Sequence, residues 1–125
     1  MTKRVSGVMC VCLTLCCVVG SAAAADHAVK LQNLVSIDAD GDGMDESVPV
    51  RVVLVHLETH ERTVTDLAAG QTKSIGLLKE GQWAVVTLRN VNGKFEYLGG
   101  GVAGVIFPHT LVAIFEMGVD AANDN

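Results

Sequence analysis

Beyond residue 25 the chain has no cysteine: Cys10, Cys12, Cys16 and Cys17 account for all four. That excludes a disulfide framework and any thiol nucleophile from residues 26–125. Basic residues are scarce there too. Apart from Lys3 and Arg4, seven Lys and Arg face fourteen Asp and Glu, a formal charge of −7. A surface of that sign disfavours nucleic acid and anionic membranes as partners. Only 18% of the chain is charged and half is apolar, so it is not a disordered polymer. With 125 residues it has room for one small domain. The five aromatics, Trp83, Phe95, Tyr97, Phe107 and Phe115, are expected to fill its core.

The first 25 residues read as an export signal. Lys3 and Arg4 form its positive start, and residues 8–19 are apolar apart from Thr14. Ala23, Ala24 and Ala25 provide the small residues that a signal peptidase requires, which places the cut after Ala25. Leu15 before Cys16, and Cys16 before Cys17, do not suit a lipid-anchor site. The expected product is periplasmic or secreted, with no membrane association after cleavage.

Beyond the signal, apolar residues recur at every second position between Gly, Asn and Asp turns, as in half-buried strands. Residues 29–37 form a first strand, with Val29, Leu31, Asn33, Val35 and Ile37 on one face. Residues 48–57 are almost continuously apolar, which predicts a central strand covered on both faces, with Pro49 at its start. Further strands are expected over 62–66, 72–78, 82–91 and 110–117. Asn92 and Gly93 suit a two-residue type I′ turn. Pairing outward from that turn sets Arg89 opposite Glu96 and Leu88 opposite Tyr97, and both pairs are favourable across strands. Gly99, Gly100, Gly101 and Gly104 read as a flexible segment, and residues 120–125 as a frayed polar tail. The prediction is all-β: a small immunoglobulin-like sandwich of about seven strands over residues 26–119, with a small barrel as the alternative.

One stretch carries chemistry. Residues 38–46 read Asp-Ala-Asp-Gly-Asp-Gly-Met-Asp-Glu. Carboxylates at loop positions 1, 3 and 5 converge on a hard cation, a glycine at 6 allows the sharp turn, and position 7 lends a carbonyl. Asp38, Asp40, Asp42, Gly43 and the carbonyl of Met44 occupy those positions, and Glu46 is position 9. Over these nine residues the chain resembles the EF-hand-type calcium loops of dockerins, thrombospondin-type repeats and integrin-like propeller repeats. The resemblance implies calcium bound by Asp38, Asp40, Asp42, Met44 and Glu46. It stops at position 12, where a bidentate Glu would sit and this chain has Pro49. A structural site with a dissociation constant of about 10⁻⁴–10⁻³ M is expected, not a calcium sensor. The alternative is a solvated acidic turn.

His56 and His60 would share a helix face but flank a turn here, so a zinc pair requires the two strands of a hairpin to bring them together. No serine lies in a nucleophile elbow, and no phosphate loop follows the glycines. The expectation is therefore a non-catalytic binding or accessory module with an unidentified protein or surface partner. One alternative is a structural subunit that self-assembles through the strand edges of residues 29–37 and 102–107. Another is a small periplasmic ligand-binding protein gated by residues 99–104.

Overall fold

The computed structural model describes residues 25–124. The export signal lies outside the described residues, apart from Ala25. In chain order the strands are β1 (Asp26–Asn33), β2 (Ser36–Ile37), β3 (Glu46–Ser47), β4 (Val50–His56) and β5 (Arg62–Leu67). They continue as β6 (Thr72–Lys79), β7 (Gly81–Val91), β8 (Lys94–Val105), β9 (His109–Phe115) and β10 (Gly118–Asn123). Two four-stranded sheets, β8-β7-β4-β5 and β10-β9-β1-β6, pack as a sandwich, and β2-β3 is a small ribbon beside them. The described chain is all-β, with no helix.

Period-two alternation accounts for the core. Val29 and Leu31 of β1, Val52 and Leu54 of β4, Trp83 and Val85 of β7, and Val112 and Ile114 of β9 point inward and are buried. Burying an aliphatic or aromatic side chain of this kind contributes about 1.5–3 kcal/mol. The Trp83 indole donates from Nε1 to the Lys79 carbonyl at 2.9 Å, so its one polar atom is satisfied.

The Asn92-Gly93 hairpin forms with the expected register: Val91 faces Lys94, Arg89 faces Glu96 and Leu88 faces Tyr97. Both turn residues have positive φ, 54° at Asn92 and 84° at Gly93, as a type I′ turn requires. Arg89 and Glu96 meet at 3.3 Å.

Five expectations are corrected. The glycine segment is paired strand rather than loop: it lies inside the 12-residue strand β8 and pairs with β7 through Val105. The supposed tail is β10, paired with β9 from Gly118 opposite Phe115 to Asn123 opposite Thr110. The first strand ends at Asn33, and only the two residues of β2 resume extended pairing. Strand β4 is central in its sheet, but its outward residues Arg51, Val53 and Val55 are only half-buried. Of the aromatics only Trp83 is in the core, whereas Phe95, Tyr97 and Phe115 are exposed. A side chain can alternate outward as readily as inward, and nothing in the alternation says which face is covered.

Candidate metal centre

Strands β2 and β3 pair antiparallel, Ser36 with Ser47 and Ile37 with Glu46, and hold up the acidic loop between them. The loop's aspartates bond its own backbone. Asp38 accepts from the Gly41 N–H through Oδ1 at 3.0 Å and from the Gly43 N–H through Oδ2 at 2.9 Å. Asp40 accepts from the Asp42 N–H at 3.1 Å, and Asp42 accepts from the Met44 N–H at 2.8 Å. Asp and Asn favour turns because the short side chain can make such bonds. Gly41 and Gly43 have φ of 78° and 85°, where a side chain would be strained.

This folding brings four of the sequence-predicted ligands together. Asp38, Asp40, Asp42 and Glu46 each offer a carboxylate oxygen, all within 4.8 Å of one another. Two oxygens each about 2.4 Å from one calcium ion lie at most about 4.8 Å apart, so the spacing meets a necessary condition for a shared cation. The cluster can hold a metal ion, although exposed acidic groups of this kind are common without one. Met44 is 71% exposed, and its amide rather than its carbonyl takes part in the loop's hydrogen bonds. Desolvation, and then repulsion from Asp40, raise the Glu46 carboxyl above its ordinary value of 4.5. A bound cation would act in the opposite direction.

The loop's stems are fixed by a residue whose role the strand alternation does not reveal. Asn33, 1% exposed, donates from Nδ2 to the Val48 carbonyl at 2.8 Å and the Ala68 carbonyl at 3.0 Å. Its Oδ1 accepts from the Val35 N–H at 3.0 Å. Asn33 therefore ties together the chain entering the ribbon, the chain leaving it, and the turn after β5. The only sign in the sequence is an amide on an otherwise apolar face. Val35 and Val48, both buried, anchor the same stems.

The two histidines do not form a zinc pair. His56 is 1% exposed, and its ring organises the turn that follows β4. The Glu58 and Thr59 N–H groups both donate to Nδ1 at 3.1 Å, and Nε2 donates to the Glu80 carbonyl at 2.9 Å. Those partners leave neither ring nitrogen free for a metal. His60 is exposed in the turn with φ of 65°. Among the described residues the acidic loop is the cluster that can hold a metal ion.

A cleft of about 360 Å³ lies beside the ribbon's exit, lined by Pro49, Arg51, Asp66, Asn90 and Phe95 among others. Arg51 grips Asp66 with two bonds, Nε to Oδ1 at 2.7 Å and Nη2 to Oδ2 at 3.1 Å, and stacks on Phe95 at 4.4 Å from the ring centroid. Its donors are directed at Asp66 rather than at the cleft. The hydrogen bond from Arg51 holds the Asp66 carboxyl below its ordinary value of 3.8. The pair's small stabilising contribution is thus complete above pH 3.8 and lost as pH falls through the lowered folded value. A carboxyl-carbon NMR titration should find the Asp66 midpoint below 3.8 in the wild type, and closer to it in Arg51→Gln.

No family model, curated protein or solved structure matches the chain.

Proposed function

We propose that this protein is an exported, non-catalytic β-sandwich module whose 38–46 loop is made rigid by calcium, so that this end of the sandwich is presented to a protein or surface partner. The observation carrying this reading is the convergence of Asp38, Asp40, Asp42 and Glu46 on stems anchored by Asn33. The Met44 carbonyl completes the set of ligands in this reading. Export rests on the charged, apolar and alanine-rich order of the first 25 residues.

The sandwich is immunoglobulin-like in this reading. Hairpins β4–β5 and β7–β8 join through antiparallel β4 and β7, while β1 and β6 pair antiparallel in the facing sheet. Strand β9, parallel to β1, and β10 then extend that second sheet.

The alternatives have less support. Strand β1 has neighbours on both sides, β9 and β6, so residues 26–33 offer no free edge for assembly. Residues 102–105 do lie on an edge strand, β8. The gating reading required a loop at residues 99–104, and those residues are paired strand.

The test is thermal unfolding in EDTA, in millimolar calcium and in millimolar magnesium. Calcium at ten times its dissociation constant should stabilise the fold by about 1.4 kcal/mol. For a domain of this size that raises Tm by about 6–11 °C. The double variant Asp40→Asn/Asp42→Asn keeps the acceptors that close the loop but loses two charges, and should show no calcium-dependent shift. No shift in the wild type, or an undiminished one in the variant, would overturn the site.

A further inference from the structure

We infer that the outer face of sheet β8-β7-β4-β5 is a self-association surface, on which a second copy of this chain packs face to face. The inference stands independently of calcium. Along β4, Val52 and Leu54 point into the core, so Arg51, Val53 and Val55 point out. The pairing carries that parity across the sheet. Val53 lies opposite Val64 on one side and Val86 on the other, and Val55 lies beside Ala84. On β8 the outward positions include Val102, opposite Ala84, and Tyr97, opposite Leu88. Val64, Tyr97 and Val102 are 47%, 68% and 57% exposed.

The centre of this face therefore holds only aliphatic residues. Its charges lie at the perimeter: Arg62 at one end, and the mutually paired Arg51 and Asp66 at the other. The opposite sheet differs. Its outer face also carries apolar residues, Leu77, Leu111, Ala113 and Phe115, but Lys30, Gln32 and Ser74 break them up along β1 and beside it. Contiguous apolar patches on exported domains mark contact surfaces.

Area and charge favour a second copy as the occupant. Four strands about 4.8 Å apart, over about six residues, give a footprint of roughly 19 by 20 Å. With side-chain relief that is about 600 Å² per copy, or about 1,200 Å² for a pair, at the lower end of specific interfaces. Short β-branched side chains on a twisted sheet are what a second sheet packs against, at about 10 Å and with strands inclined by about 30°. The chain is acidic overall, yet this face carries two arginines and one aspartate, so it is spared most of the negative charge that would drive two copies apart. An apolar centre with a polar rim is the usual anatomy of such an interface.

The test is light scattering and sedimentation of the purified protein over a concentration series. A dimer at about 100 µM that dissociates on dilution is expected. Val86→Lys should be monomeric with an unchanged far-UV circular dichroism spectrum, whereas Gln32→Lys, on the opposite sheet, should stay dimeric. Should Val86→Lys fail to fold, the near-isosteric Val53→Thr/Val86→Thr should weaken the dimer by at least about tenfold. A monomer at every concentration up to about 500 µM would overturn the inference. So would a dimer of unchanged affinity in the folded outer-face variants. Open-ended oligomers that lengthen with concentration would overturn it as well, because a two-fold face closes on itself whereas free strand edges do not.

Discussion

Replacing Asn33 by Leu should lower Tm by about 12–24 °C, the shift that corresponds to about 3 kcal/mol in a domain of this size. The side chain is almost fully buried and bonds three backbone groups: the Val48 and Ala68 carbonyls and the Val35 N–H. Leucine is of similar size, so the loss is not mainly a cavity. The cost comes from buried backbone groups left without partners, at about 1–3 kcal/mol each. Rearrangement and water entry keep the total near the lower end of that sum. The substitution should also weaken calcium binding, because the loop's stems are no longer tied together. Calorimetric unfolding in EDTA measures the first effect, and a calcium titration well below Tm measures the second. A Tm within about 3 °C of the wild type would show that Asn33 does not organise this junction.

Gly99→Ala should destabilise the fold by about 2 kcal/mol, lowering Tm by about 8–16 °C. A Cβ at Gly99 would fall on the Glu116 carbonyl oxygen and lie 2.9 Å from the Met117 Cα. Both are backbone atoms of the β9–β10 turn, and neither can rotate away. The pairing register shifts between Tyr97 and Gly99, so strand β8 bends where it passes that turn. Gly101→Ala is the internal comparison. Its Cβ would meet the Val119 side chain at 3.3 Å, and a side chain can give way. Gly101→Ala should therefore cost less than about 1 kcal/mol. Denaturant unfolding of both variants measures the difference. Equal losses would mean that the glycines matter for general strand flexibility rather than for close approach at position 99.

These two positions mark the boundary of what the sequence alone conveys. The glycines of β8 read locally as a flexible segment, because a residue without a side chain carries no hydrophobic pattern. The need for glycine at position 99 comes from the β9–β10 turn, which lies on the facing sheet and is remote in sequence. Asn33 reads as a blemish in an apolar alternation. It is a junction only because two carbonyls from elsewhere in the chain reach it.

What the sequence determined by itself is short-range. The Asn92-Gly93 turn and the register of its hairpin follow from backbone preferences at two residues and from pairing outward. The division of β1 and β7 into two faces follows from alternation. The convergence of Asp38, Asp40, Asp42 and Glu46 follows from aspartates at alternate positions and glycines that permit positive φ, all within nine residues. Tertiary structure decided the rest. It placed β1 between β9 and β6, turned a polar C-terminal segment into the paired strand β10, and drew His56 into a buried turn. It also left the valines of β4 and β7 on an outward face. Period-two alternation separates the two sides of a strand, but only the packing of distant segments determines which side is covered.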